Sequence, residues 1–306
     1  MDPTRFLPGR KRLADIGLVY CAAVWGSTFF AVKGALASVD PVALVALRFL
    51  GAALLMLPLA ARRAKLYHRL KEGFVLAVIH AALYLAQTVG LVYTSASNSG
   101  FITGLFIIFI PVLLFLLRGE RPSPAQGVSA VLAMLGLWLL TGGIGGFNRG
   151  DMLTLAAAAA YAAHVVYTDK YSKAGADPVM LAFHQFWIIA VIAFALAWAS
   201  GRPLAVSGAG TWRVLAFLAV FPTFTAFYVQ VAAQKESVPF RVGLIFTLEP
   251  VFAAIFAWTL GGETFVPVKA VGGSLIVAGM LVSELGGLVS GRAAAEERRD
   301  RAEGAA

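Results

Sequence analysis

Ten long apolar segments run through the chain, and they constrain its fold more than any other feature. A helix needs about 20 mainly apolar residues to cross ~30 Å of hydrocarbon. The segments Leu13–Leu36, Pro41–Ala61, Glu72–Tyr93, Ser97–Leu117, Pro124–Gly142, Met152–Tyr171, Pro178–Ser200, Thr211–Ala233, Pro239–Leu260 and Pro267–Leu288 meet that requirement, the fifth being short. Barrel strands would instead alternate apolar and polar residues over about 10 positions. A water-soluble fold fails on charge: 13% of residues are charged and 59% hydrophobic, with a mean hydropathy of +0.80. An exterior in water needs far more polar surface than that. The expected fold is therefore all-α and integral to a membrane, with ten transmembrane helices. No cleavable signal peptide is expected, because the first apolar run is too long and leads straight into a polytopic pattern. The single cysteine, Cys21, rules out a disulfide framework or a Cys-rich zinc site.

The net charge of +9 reads as topology rather than as a nucleic-acid footprint. With the N-terminus in the cytoplasm, that side receives 19 Lys and Arg residues, from Arg5, Arg10, Lys11 and Arg12 through Arg62, Arg63 and Arg118 to Arg298, Arg299 and Arg301. The opposite side receives 5 (Lys33, Arg149, Arg202, Arg213 and Lys269), and Arg48 stays inside the membrane. This positive-inside bias places both termini in the cytoplasm and the protein in the cell's inner (plasma) membrane. The expected partners are the bilayer and a small-molecule substrate, with no nucleic acid, in a monomer or weak homodimer. Residues 1–12 form a basic cytoplasmic start. Residues 289–306 form a charged cytoplasmic tail of a composition that favours disorder.

The chain also repeats itself. Asp40-Pro41-Val42-Ala43-Leu44 opens the second span, and Asp177-Pro178-Val179-Met180-Leu181 opens the seventh, 137 residues later. Gly104-Leu105 and Pro111 match Gly243-Leu244 and Pro250 at an offset of 139, and Gly119-Glu120 matches Gly262-Glu263 at 143. The halves run over 13–142 and 152–288. Each holds five spans, an odd number, so the second half is inverted relative to the first, as in many transporters that alternate access about a midplane site. Pro111 and Pro250 each remove one helical hydrogen bond, and the fourth and ninth spans are expected to hinge there.

The residues of the first span now carry a resemblance. Trp25-Gly26-Ser27-Thr28-Phe29 resembles the W-G-[ST]-x-F signature of the drug/metabolite transporter superfamily, the EamA-type ten-helix exporters. Arg48 resembles that family's second-span arginine. Glu249-Pro250, Gly262-Glu263 and Gly272…Gly279 resemble the close of its second repeat. The order of these motifs covers about residues 13–288 and is most similar to the aromatic amino-acid exporters of the YddG type. The sixth span departs from the pattern, with Ala156–Ala160 and Tyr161 where a second W-G signature would stand.

Candidate lining residues follow from helical spacing. In the third span His80, Tyr84 and Gln87 share one face; in the sixth, Tyr161, His164 and Thr168 do the same at matched depth. Two such stripes suit opposite walls of one cavity, with Thr103, Phe106, Tyr228 and Trp25 as further lining. Glu249 sits roughly 15 Å into the ninth span at 1.5 Å per residue. It suits either a bound amine or proton or a hydrogen-bonded helix lock. Arg48 lies near enough to the outer end of its span to snorkel, and is read as a structural or gating charge. Of the adjacent His184 and Gln185, one must point away from any cavity. With no P-loop and no HExxH, neither a cofactor nor catalytic chemistry is expected.

These residues favour an exporter of small amphipathic metabolites working by alternating access. The resemblance implies neutral and aromatic amino acids, and the thin set of central titratable groups favours facilitated rather than ion-driven transport. The alternatives are a proton-coupled exporter of lipophilic drugs or cations and, in another class, a membrane-embedded lipid-modifying enzyme.

Overall fold

The structure is a computed structural model that describes residues 8–63, 68–234, 242 and 245–303. Among these residues it is all-helical, save for one isolated bridge between Val39 and Val206. The helices are α1 (Pro8–Ala35), α2 (Pro41–Ala61), α3 (Leu70–Tyr93), α4 (Ala96–Gly104), α5 (Phe106–Arg118) and α6 (Pro124–Thr141) in the first half. The second half supplies α7 (Arg149–Lys173), α8 (Pro178–Ala199), α9 (Ala209–Leu218), α10 (Ala226–Gln234), α11 (Glu249–Thr259) and α12 (Pro267–Glu303). Among the described residues 8 candidate spans are long and apolar enough to cross a membrane. The expected fourth span joins α4 to α5, and the expected eighth joins α9 to α10 through a π-helical stretch, Ala219–Thr225. The expected sixth span corresponds to α7, and the ninth falls partly on residues outside the described set.

Local chemistry sets several of these ends. Asp40 caps α2 by accepting from the Val42 amide at 2.8 Å, with Pro41 in the first turn, where its missing N–H costs nothing. Asp177 and Pro178 repeat the device on α8, with 2.9 Å to the Val179 amide. Ser123 and Gln126 form a reciprocal capping box on α6. The two caps on α2 and α8 are tied across the pair: Arg202, after α8, reaches Asp40 at 3.0 Å, and Arg63, after α2, reaches Asp177 at 3.2 Å. These reciprocal ties make α2 and α8 an antiparallel pair joined at both ends.

The interruptions of the fourth and ninth spans fall near the two prolines but not on them. Pro111 does not break the fourth span; the interruption lies at Leu105, between α4 and α5, and α5 continues through the proline. The ninth span is interrupted by a turn at Thr247 and Leu248, and Pro250 sits in the first turn of the helix that follows. A proline is accommodated most readily where no backbone partner is lost, which is where Pro250 lies. The charged tail is also helical, since α12 runs on to Glu303. Its Ala, Glu and Arg residues are strong helix formers, and that propensity outweighs their polarity.

Apolar surface alone does not join helices in lipid, so packing depends on close approach and buried hydrogen bonds. Small residues supply the approach. α2 and α8 meet through Ala46, Ala52, Ala53, Ala182, Ala190 and Ala193 around Phe49 and Phe186. α6 and α12 cross at paired glycines: a Cβ built on Gly136 would lie 2.5 Å from the Gly272 carbonyl oxygen, and one on Gly272 would lie 2.7 Å from that of Gly136. In the same interface the Ser129 hydroxyl donates to the Gly279 carbonyl at 2.7 Å. Large apolar side chains such as Leu54, Phe74, Leu116 and Met134 face outward, as lipid contact requires.

Candidate functional site

A cavity of about 680 Å³ occupies the middle of the bundle. Its lining comes from α1, α3, α4, α5 and α7 and from α8, α10, α11 and α12, while α2, α6 and α9 stay behind that wall. It reaches the end of the bundle where α7 finishes and α8 begins, at Thr168, Asp169 and Pro178, and where Glu284 of α12 lies. The opposite end is closed by polar contacts between the halves. Glu263, after α11, accepts from the Ala96 amide and, at 2.6 Å, from the Ser97 hydroxyl at the start of α4. The fully buried Asp151 accepts from the Thr94 hydroxyl, and within the first half Lys33 donates to the Leu91 carbonyl at 2.6 Å. Lys33 thus satisfies a carbonyl of the last turn of α3, where a cation also complements the helix dipole.

The α3 and α7 stripes meet across the cavity. His80, Tyr84 and Gln87 line it from one side and Tyr161, His164 and Thr168 from the other. The rings of His80 and His164 lie 4.1 Å apart between centroids. Gln185 of α8 joins them: its carbonyl oxygen lies 3.0 Å from His80 Nδ1 and 2.6 Å from His164 Nε2. One acceptor serving both rings assigns the proton to Nδ1 of His80 and to Nε2 of His164. Gln87 donates to the Thr103 hydroxyl at 3.0 Å, and Phe106 lies against Tyr161 with centroids 4.2 Å apart. Trp25 and Glu249 line the same space.

Tyr228 does not. It is 52% exposed on the outer surface, and its neighbour Phe227 faces the cavity with Gln230. The cause is the π-helical stretch just before it, whose wider turns shift the face that the following helix turns inward.

Sequence reasoning left the choice between His184 and Gln185 open, and the structure resolves it. His184 turns away to accept at Nδ1 from the Trp187 indole, 3.2 Å, leaving Nε2 to donate to the His68 carbonyl, 3.2 Å. Thr28, Phe246, Glu284 and Asp169 also line the cavity without having been picked out as lining. Thr28 lies one helical turn from Trp25, which is a signal the spacing contained.

The signature of the first span has a physical reason at four of its five positions. The Ala226 amide is directed to Phe221 and Thr223, so the Pro222 carbonyl does not receive the usual α-helical bond from four residues on. The Trp25 indole donates to it at 2.8 Å. A Cβ built on Gly26 would come within 2.6 Å of Phe252 Cβ and 2.8 Å of the Glu249 carbonyl oxygen, so only glycine allows α11 this close. Thr28 and Phe29 complete the wall.

Arg48 does not snorkel. It is 3% exposed, and its Nε donates at 2.8 Å to the Thr223 hydroxyl, which donates in turn to the Leu218 carbonyl at 2.7 Å. Its guanidinium carbon lies 4.7 Å from the centre of the Tyr84 ring. No carboxylate among the described residues pairs with it, and the cavity lining does not include it. Pro222 and its π turn hold α1 through Trp25 and α2 through Arg48.

A multi-helix bundle with a central cavity, open at one end and drawn from both halves of the chain, is the architecture of a multi-pass membrane transporter. The chain belongs to the EamA-like transporter family, which matches it over residues 12–142 and again over 148–285. It is 34% identical over 280 residues to an uncharacterized transporter of Archaeoglobus fulgidus, covering 90% of this chain and 88% of the relative. It is 24% identical to the uncharacterized transporter YyaM of Bacillus subtilis, over 84% and 89% of the two chains. A solved crystal structure with 20% sequence identity shares the fold, with a TM-score of 0.65 over 89% of this chain and 96% of that one.

Proposed function

We propose that this protein moves small amphipathic metabolites across the inner membrane by alternating access, with aromatic amino acids as the first cargo to test. In this reading ten spans form two inverted five-helix repeats, both termini are cytoplasmic, and the open end faces the cytoplasm, as an exporter needs before loading. The carrying observation is the cavity itself: ring-lined by Trp25, Phe106, Tyr161 and Phe246, open at one end, and closed at the other by contacts between the halves. At about 680 Å³ it falls within the range of small-ligand pockets. Counterflow of labelled phenylalanine or tryptophan in liposomes is the test. Uptake that needs internal cold substrate supports a facilitated carrier, and no exchange of any amphipathic cargo overturns the reading.

A second reading, exchange against protons, gains one observation. The expectation of facilitated movement rested on Glu249 as the lone central acid, yet Glu284 and Asp169 line the same cavity toward its mouth. An imposed pH difference that drives accumulation without a substrate gradient, and fails to do so in Glu249→Gln, selects this mechanism.

A further inference from the structure

We propose that the cavity selects cations: its cargo is an organic ammonium on an aromatic or apolar body, and Glu249 is the carboxylate that holds it. The proposal rests on the cavity being a carrier's binding site, and it names the charge of what that site takes.

Three observations converge. The first is that Glu249 is 9% exposed, faces the cavity, and receives no hydrogen bond from any described side chain. An unpaired carboxylate away from water is costly, and the cost falls when a cation with N–H donors arrives. The proposed role as a helix lock would require a protein partner, and among the described residues none is present.

The second is the wall beside it. Trp25 lies with its ring centre 5.2 Å from Phe246 and 5.9 Å from Phe227, edge to face with both. Phe246 precedes Glu249 by three residues, and Gly26, next to Trp25, packs on the backbone of Glu249. The indole N–H is committed to Pro222, so what Trp25 offers a cargo is its ring. Aromatic faces beside a carboxylate are the usual surroundings of a bound ammonium.

The third is the sign of the described lining. Glu249 and Glu284 belong to it, and among the described residues none of its members is a lysine or arginine. Arg48, the cation nearest in sequence logic to a cargo carboxylate, is held outside the wall by Thr223 and Tyr84. A free amino acid would bring a carboxylate for which the described lining offers neutral donors, such as the unpartnered Thr168 hydroxyl. The same body without that carboxylate, as an amine or an ester, gains the Glu249 contact without this burden.

The test compares four probes on the purified full chain: phenethylamine, phenylalanine methyl ester, phenethyltrimethylammonium and phenylalanine, all near neutral pH. Equilibrium binding should favour the three cations by about tenfold or more over the zwitterion. Glu249→Gln should remove that difference, and Glu249→Asp should retain it. Phenylalanine binding as tightly as the amines in the unmodified protein overturns the proposal without needing any variant. Liposome exchange separates the two claims. Exchange of phenylalanine but not of the cations leaves the carrier standing and ends the cation proposal. Binding of the cations with no exchange of any probe does the reverse. If nothing binds, both fall.

Discussion

Gly26 shows how far a single residue sets this architecture. It lies where α1 crosses α11, with Phe252, Ala253 and the Glu249 backbone all inside the space a methyl group would take. Gly34, two turns along the same helix, has nothing within 4 Å of a built Cβ. Gly26→Ala should therefore destabilise the protein by about 1–3 kcal/mol through overpacking, read as a lower thermal midpoint in detergent, while Gly34→Ala leaves it unchanged or slightly raised. Equal midpoints for the two variants would show that α1 and α11 do not depend on this approach. Arg48 makes a second case: its fork spans Thr223 and the Tyr84 ring, a geometry that a lysine ammonium does not reproduce. Arg48→Lys should lose most of the stability lost by Arg48→Ala, whereas a role as a bare charge predicts rescue by lysine. At this scale the sequence was readable wherever a helix is regular: spacing alone placed His80, Tyr84 and Gln87 opposite Tyr161, His164 and Thr168. It misled at Tyr228 and at Arg48 for one shared reason. The π turn around Pro222 shifts the face of the eighth span and carries the carbonyl and hydroxyl that hold Trp25 and Arg48, and no periodicity in the sequence announces it.

The helical character of the elements was legible, with eight spans long and apolar enough to cross a membrane among the described residues, and less so where they break. Prolines were the natural breakpoints, yet the fourth span is interrupted at Leu105, six residues before Pro111. A proline inside a long helix is tolerated when neighbours accommodate the lost hydrogen bond, whereas Gly104-Leu105 sits against Met280 of α12 and Pro250 of the other half. The structure separates the two prolines. Pro250→Ala restores an amide that can bond back toward Phe246, extending α11 through the turn at Thr247 and Leu248. Pro111→Ala adds a bond inside a helix that is already continuous. If that turn is where the ninth span flexes, Pro250→Ala should slow exchange more than it weakens cargo binding, and Pro111→Ala should change neither by more than about twofold. Comparable slowing by both variants would return the hinge to the prolines themselves.

For the whole molecule, the order of the ten apolar runs and the paired motifs gave an all-helical membrane bundle before any coordinates. What closes it could not be read, because Glu263 and the start of α4 are 167 residues apart in sequence. That contact is charge-assisted, satisfies N-terminal amides of a helix, and joins one half of the chain to the other. In contrast, Glu120, which stands at the matching place in the first half, is exposed and among the described residues pairs with Arg118, at 3.6 Å. Closure at one end and release at the other are what a carrier caught in one of two states should show. The prediction is that Glu263 holds the closed end shut. Cys21 is fully buried, so Cys21→Ser gives a background in which a thiol at Thr28, deep in the cavity, is the sole reporter. In vesicles sorted by a tag after α12, an impermeant thiol reagent should reach Thr28→Cys from the tagged side, because the cavity opens there. It should fail from the opposite side. Adding Glu263→Ala, which costs about 1 kcal/mol of helix capping, should admit the reagent from the opposite side by shifting the population toward the other state. The background must retain exchange for the comparison to count. If Thr28→Cys is labelled equally from both sides before Glu263 is changed, the closed end is not closed; if the change alters nothing, the barrier lies in the packing of α1, α4 and α11 and not in this carboxylate.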